Sequence, residues 1–447
     1  MVTSIESFSL NELINKLQAS GDLIIIDDKV KAKYELAGTA KQYEGKKPVL
    51  FNNVEGYQYP VLIGLYWNRK VIASIFSRSE EDLPDFIADT VSRWRSKESV
   101  IKPIILDKGP ANEIIELNPD LNLIPVPTHF LNDGGPYFLS SAVIAKDPET
   151  GIRNTSINRV MVTGPRSATM LMDEGRHLRD YYERAEKQGK PLEITINNGV
   201  EPSVYFTSLV PSALCPINRD ELEIASELRG KPIELLQSQT VDVEGIANAQ
   251  FIIEGEILPE VREPEGPCAE VTGYYANRAD RWVVKVKAIT HRIDSIFHTL
   301  LPGKEVYNSV GLVGETNVCR LVSSQVPGVK AIHFPHGGCG FYKAVIQLKK
   351  KAEGEAKNAI MATFAAFPSL RIAVVVDDDV DIYNPEDVDW AISTRFDPIK
   401  GMLLVENALG HELNPMTRNG VGSKIGMDAT QPLGNLEEFK RVKTQEV

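Results

Sequence analysis

The sequence predicts an α/β chain, α+β in its centre, and three observations carry that expectation. Strand-like and helix-like patterns alternate up to about residue 105. Strands dominate from about residue 124. Beyond about residue 305 the alternation returns. A chain of 447 residues exceeds one compact core and suggests two or three domains of roughly 150 residues. We place them at 1–115, 116–305 and 306–447.

The first segment opens with a capping box, Ser9-Leu10-Asn11-Glu12, and a helical stripe of Leu10, Leu13, Ile14 and Leu17 that ends near Gly21. Leu23 to Ile26, Pro48 to Phe51 and Tyr59 to Gly64 have strand composition. Leu83 to Trp94 reads as a helix with Pro84 in its first turn. The centre begins with the turn-rich runs Ile124 to Phe130 and Asp133 to Tyr137. Strands are expected at 139–144, 154–162, 192–196, 249–256, 270–275 and 282–289, with helices at 174–188 and 219–228. Many strands with few helices suggest a β-barrel or sandwich with helical inserts. In the last segment a helix at 349–367, a strand at 372–376 and a helix at 385–394 are expected. The tail from Gly410, rich in Gly, Asn and Pro, reads as irregular.

A net charge of −12 argues against nucleic acid or an anionic membrane as partner, since both demand a basic footprint. No window reaches the roughly 18 apolar residues of a membrane span, and Met1 to Leu10 lack the pattern of a signal peptide. Four widely spaced cysteines without a C-x-x-C motif read as reduced thiols of a cytoplasmic protein.

Phosphate-loop, dinucleotide-binding and nucleophile-elbow motifs are absent. Asp377-Asp378-Asp379-Val380-Asp381 could hold Mg²⁺ at a strand end, but turn and N-cap chemistry is favoured there. His333-Phe334-Pro335-His336 before Gly337-Gly338-Cys339-Gly340 is read equally as a metal or anion loop and as a packed loop. The stretch Val261 to Glu270 brings three carboxylates into ten residues, and Glu265 and Glu270 bracket a Gly-Pro turn. Such loops are commonly solvated turns. If Arg159 falls between the two glutamates, however, one stays ionised and its neighbour can carry a proton. Asn154, His177 and Glu221 offer an amide, an imidazole and a carboxylate, donors suited to Mn²⁺ or Mg²⁺. Spacing alone does not single them out.

Asn154-Thr155-Ser156-Ile157-Asn158-Arg159 and Glu265-Gly266-Pro267-Cys268-Ala269-Glu270-Val271-Thr272-Gly273-Tyr274 resemble the UbiD-type prenylated-flavin-dependent decarboxylases. So do Asp133 to Tyr137, Asp147 to Gly151, Val376 to Asp381, Thr394 to Pro398 and Ser423 to Thr430. These blocks stand in family order from about residue 120 to 430. The resemblance implies an N-terminal α/β domain, a central split β-barrel that holds the flavin, and a C-terminal α/β domain used in homo-oligomers, dimers or hexamers. It implies Arg159, Glu265 and Glu270 as the catalytic network, and Asn154, His177 and Glu221 as ligands of Mn²⁺ (or Mg²⁺) against the flavin phosphate. Glu227 is the alternative to Glu221. A neighbouring K⁺ rests on carbonyls that the resemblance does not locate. Ser156, Ile157, Arg176 and Lys424, with Asn154, Arg159 and His177, are implied to bind the cofactor, prenylated FMN.

The implied activity is reversible, non-oxidative decarboxylation through a covalent adduct of substrate and prenylated FMN, with CO₂ released and Glu270 as proton donor. A flavin prenyltransferase would supply the cofactor. The substrate is an aromatic, heteroaromatic or α,β-unsaturated acid; a furan or pyrrole carboxylate or dicarboxylate fits the shortness of the chain. His298 and Arg320, or Lys304 or Lys343, could bind a second carboxylate, against a default of structural salt bridges. Two other readings stay open: an FMN-dependent NAD(P)H oxidoreductase and a non-catalytic subunit of a carboxylase complex.

Overall fold

Three successive isoleucines, Ile24–Ile26, are short, β-branched and flanked by turns, and they form the edge of a small sheet. Val49–Phe51 pairs parallel to them, Val61–Ile63 pairs antiparallel to Val49–Phe51, and the last place is taken by Phe297–His298 from far along the chain. The computed structural model describes residues 9–442 apart from Ser99, Ala213, Glu412 and Leu436. Most of the stretch read as lacking a signal peptide, residues 1–8, lies outside the described residues.

The chain divides into two compact units between Ser309 and Val310. The segments 1–115 and 116–305 share the first unit because Phe297–His298 returns to the N-terminal sheet. One apolar cluster accordingly joins Val49, Phe51 and Ile63 to Val143, Ile194, Phe251, Val284 and Phe297. Glu305 braces the junction. Its buried carboxylate accepts from Tyr66 N (3.2 Å) and Leu301 N (3.0 Å), and Asn308 Nδ2 donates to Tyr66 O and Trp67 O.

Nine strands, among the described residues, form the sheet in the middle of this unit. Its order is Tyr137–Phe138, Val160–Gly164, Ser167–Met170, Ala279–His291, Phe251–Glu265, Leu192–Asn198, Ala142–Lys146 and Arg153–Ile157, with Ile114–Glu116 paired to the side of Ala279–His291. The ladder therefore ends at Tyr137–Phe138 on one side and at Arg153–Ile157 on the other. Helices His177–Lys187 and Glu221–Arg229 are the inserts that the sequence suggests.

Three expectations change here. The single strand expected at 154–162 breaks at Asn158-Arg159, where Asn158 Nδ2 donates to Leu171 O (3.1 Å) instead of extending a ladder. The strand expected at 249–256 runs on to Glu265, held by pairing with the opposite long strand as far as Ala279. The strand expected at 270–275 is a tight turn, because Glu270 N donates to Tyr274 O and closes a hairpin between Cys268–Ala269 and Tyr275–Ala276.

The second unit carries a five-stranded sheet in the order Val329–His333, Lys343–Leu348, Ile372–Asp377, Val421–Ala429, Met402–Leu409. The tail expected to be irregular thus supplies an inner strand, because pairing on both sides compensates for its glycines. Helix Lys304–Ser323, which begins in the first unit, escaped the sequence reading. The acidic run after Ile372–Asp377 is structural. Arg395 donates to Asp377 Oδ2 (2.7 Å) and to both oxygens of Asp379, while Arg441 pairs with Asp387. His333 faces Glu315 at 2.8 Å. No helix is long and apolar enough to cross a membrane, among the described residues.

Burial raises the Glu305 carboxyl from its ordinary 4.5 to about 8, against the backbone donors that favour the carboxylate. Between those values the folded chain binds a proton that the unfolded chain has released, so Glu305 lowers stability as pH rises. Denaturant unfolding of wild type and Glu305→Gln from pH 5 to 9 should show a decline that the variant lacks.

Candidate functional site

Arg159 sits in the break between Arg153–Ile157 and Val160–Gly164, at the side of the sheet where Tyr137–Phe138 ends the ladder. Its guanidinium is forked. Nε donates to Glu265 Oε1 (3.1 Å) and Nη2 to Glu265 Oε2 (2.8 Å), while Nη1 donates to Glu270 Oε1. One cation thus holds two carboxylates that approach from the end of a long strand and from the first position of a turn. A planar fork does this better than an ammonium could.

The two glutamates differ in surroundings. Glu265 is fully buried and accepts a further hydrogen bond from Tyr137 Oη (2.8 Å), and Arg281 Nε stands 3.9 Å away. Glu270 is less enclosed and has Arg159 as its partner. Burial pushes the Glu270 carboxyl above the ordinary carboxylate range, Arg159 pulls it down, and Asp173 and Glu265 add repulsion. Burial likewise pushes the Cys268 thiol, which lies between the two glutamates in sequence, well up.

The segment that joins Glu265 to Glu270 is clamped to the loop before Tyr137. Asp133 accepts from Ala269 N (2.8 Å) and Phe130 N (2.8 Å), and Gly134 N donates to Pro267 O (2.7 Å). A Cβ on Gly134 would stand 2.3 Å from Gly266 O, so only glycine allows this approach.

A second constellation lies on the same chain segment. Glu221, first residue of helix Glu221–Arg229, accepts from Asn154 Nδ2 (2.9 Å) and Thr155 N (3.0 Å), and His177 Nδ1 lies 3.3 Å from its Oε1. Asp220 caps this helix through Leu222 N and pairs with Arg153, which seats the helix beside the strand. Glu227 points elsewhere and accepts from Ile101 N. Asn154, His177 and Glu221 are all buried. An amide that can turn its oxygen inward, an imidazole and a carboxylate around one small volume fit a hard divalent cation completed by ligand oxygens. Among the described residues no group of three or more His, Cys, Asp and Glu is arranged to hold a metal, so a metal here needs Asn154.

The remaining candidates divide. Ser156 Oγ lies 2.9 Å from Asn158 Oδ1 and 3.3 Å from Asn154 Oδ1, so its proton serves one of them, and Ile157 N donates to Ser208 O. Arg176 is exposed just before helix His177–Lys187. His298 is buried against Tyr66 and Tyr205, its Nε2 has no hydrogen-bond partner, and burial lowers its pKa to about 4. Arg320 and Lys424 belong to the second unit. There Lys424 donates to the carbonyls of Pro368 and Leu370 and lines a cavity of about 460 Å³ with Lys343 and Arg371. Tyr137 escaped the sequence reading. It lies in the Asp133 to Tyr137 block, but a tyrosine after Gly-Gly-Pro gives no local sign of a buried phenol.

Models of the three domains of 3-octaprenyl-4-hydroxybenzoate carboxy-lyase match this chain: the N-terminal domain over residues 14–91, the Rift-related domain over 104–305 and the C-terminal domain over 308–429. The chain belongs to the UbiD family of carboxy-lyases, and it is a decarboxylase of that class. A Rhodospirillum rubrum protein described as "uncharacterized protein in cooM 5′ region" is 46% identical, covering 98% of this chain and 94% of its own. The anhydromevalonate phosphate decarboxylase of Methanothermobacter thermautotrophicus is 34% identical over 95% of this chain and 98% of its own. The UbiD-class enzyme HmfF from Pelotomaculum thermopropionicum, solved with FMN, superposes with a TM-score of 0.92 at 39% identity, covering 98% of this chain and 97% of the other. An evolved dimeric form of HmfF, solved with prenylated FMN, gives 0.88 at 37% over the same shares.

Gly134→Ala is expected to force the Pro267 segment away from its loop, costing about 1–3 kcal/mol in stability and loosening the hold on both glutamates. Denaturant unfolding and initial decarboxylation rates on the same preparation measure the two effects.

Proposed function

We propose that this chain catalyses reversible, non-oxidative decarboxylation of an aromatic, heteroaromatic or α,β-unsaturated carboxylic acid, with prenylated FMN as cofactor. Furan and pyrrole carboxylates or dicarboxylates are the first compounds to try. The observation that carries this reading is the Arg159 fork holding two glutamates in unlike surroundings. The methanogen relative named for anhydromevalonate phosphate supports keeping non-aromatic unsaturated acids in the class.

When bound, prenylated FMN supplies the sink for the electron pair left by departing CO₂. Everything else falls to the protein. Arg159 compensates Glu265, which is too buried to exist as an unpaired anion. Glu270, whose carboxyl burial pushes above its ordinary value and which Arg159 Nη1 holds, is the group assigned to deliver a proton to the carbon that has lost CO₂. Asn154, His177 and Glu221 would hold Mn²⁺ (or Mg²⁺), which would supply positive charge for the cofactor phosphate. Ser156, Ile157 and Arg176 are assigned to the cofactor, and K⁺ is assigned beside the divalent ion on backbone carbonyls. Segment 116–305 is the cofactor-bearing part, and segment 306–447 serves assembly into a homo-oligomer, in keeping with the dimeric form named for HmfF.

The test is anaerobic production with and without a flavin prenyltransferase, followed by mass spectrometry of the released small molecule, metal analysis and CO₂ release from a panel of acids. Prenylated FMN with Mn is the expected outcome. Glu270→Gln should keep both while turnover falls about 10²–10⁴-fold and solvent proton exchange into the product stops. Plain FMN reducible by NAD(P)H would move the protein to oxidoreductase chemistry, and no flavin in either preparation would favour a helper subunit.

A further inference from the structure

Two glutamates on one arginine do not by themselves say which of them carries the proton. Both are near Arg159, both are largely buried, and their like charges repel. The decision lies in what else touches them. Glu265 receives three hydrogen bonds, from Nε and Nη2 of Arg159 and from Tyr137 Oη. Glu270 receives its side-chain hydrogen bond from Nη1 of Arg159.

Tyr137 is built for this contact. Its side chain is fully buried beside Met161 and Cys268. Strand pairing sets Tyr137 opposite Met161, two residues beyond Arg159. Its hydroxyl lies 2.8 Å from Glu265 Oε1 and 3.3 Å from Pro267 O, and both of these are acceptors. Burial, then Cys268 and Glu265, push the phenol far above its ordinary value. The phenol therefore stays protonated, and of its two acceptors the Glu265 carboxylate, at 2.8 Å, is nearer than Pro267 O, at 3.3 Å. The other groups facing the pair are Arg281 and Cys268 around Glu265, and Asp173 and Cys268 around Glu270, with Asp133 behind Cys268. Arg281 is 3.9 Å from Glu265, beyond hydrogen-bond reach, and the acidic groups add repulsion. Among the described residues, Arg159 donates to both glutamates, whereas Tyr137 is the side chain that hydrogen-bonds Glu265 and not Glu270.

We infer that Tyr137 is a positioning residue that sorts the proton between the two glutamates: by donating to Glu265 it fixes Glu265 as the standing carboxylate and leaves Glu270 as the carrier. Its catalytic consequence rests on the decarboxylase mechanism proposed above; its effect on ionisation does not. Without this donor Glu265 gains proton affinity. The productive form, Glu265 ionised with Glu270 protonated, is then lost at a higher pH on the acid side. The alkaline side, set by loss of the Glu270 proton, stays in place.

The experiment is pH-difference infrared spectroscopy of the full chain without cofactor, with Glu265→Gln and Glu270→Gln assigning the two protonated-carboxyl bands. In Tyr137→Phe the Glu265 band should titrate about one pH unit higher than in wild type, the size expected for one hydrogen bond to a charged acceptor, with the Glu270 titration unmoved. Replacing Tyr137 with 3-fluorotyrosine, a stronger donor of nearly the same size, should move Glu265 the other way and serves if the Phe variant folds poorly. In the loaded enzyme the acid limb of kcat should follow Glu265 while the alkaline limb stays. A Glu265 titration unchanged in both variants overturns the assignment, as does a uniform fall in kcat with neither limb displaced. Shifted titrations in a chain that releases no CO₂ would instead overturn the decarboxylase mechanism and leave the role of Tyr137 standing.

Discussion

A fully buried carboxylate has to be compensated where it stands, and in this protein the compensation of Glu265 by Arg159 organises everything around it. Taking both charges out of water costs several kcal/mol per ion, and a well-packed apolar pair in the same place would be as stable or more so. Such a pair is weak evidence of stabilisation and better evidence of chemistry. Here the fork goes further, because its remaining edge holds Glu270, a carboxyl whose surroundings oppose ionisation. Two carboxyls in unlike surroundings come to lie on one guanidinium.

The fold meets the demands of that arrangement with ordinary devices. The break at Asn158-Arg159 lets the chain leave one end of the sheet ladder and enter the other, which puts the arginine between the ladder ends. The long strand Phe251–Glu265 delivers its last residue to the same place. The loop 130–137 then sets the distance between the two glutamates. Asp133 grips the backbone beyond Pro267, and Gly134 lies against Gly266 where no side chain fits. The Asn154, His177 and Glu221 constellation starts five residues before Arg159, so one stretch of chain serves both groups and a displacement of Arg153–Ile157 is felt by both.

Much of this was legible in the sequence, for reasons that can be named. Leu10–Ala19, Leu83–Ser96 and Pro385–Arg395 are helices whose apolar spacing and caps are local, and the strand-rich centre announces itself by β-branched runs and turn residues. The Asp377 to Asp381 run was read as turn chemistry, and Arg395 and Arg441 are what it faces. The errors are of the opposite kind. Val421–Ala429 looks irregular by composition and becomes a strand because two neighbours pair with it. Asn154 to Val162 looks like one strand and is two, because its halves find different partners.

The sequence by itself determined the periodic elements, the acidic balance, the presence of two carboxylates around a Gly-Pro turn and, through its motif blocks, the family. Those depend on neighbours a few residues apart, where backbone preference and side-chain spacing dominate. Only the tertiary structure decided that Glu265 is enclosed while Glu270 is more open, that Tyr137 reaches the first of them and that Glu221 rather than Glu227 meets Asn154 and His177. The hydrogen bonds that make those distinctions join residues 44 to 128 positions apart. At such separations, burial and pairing are set by how sheets and helices pack, which no local pattern encodes.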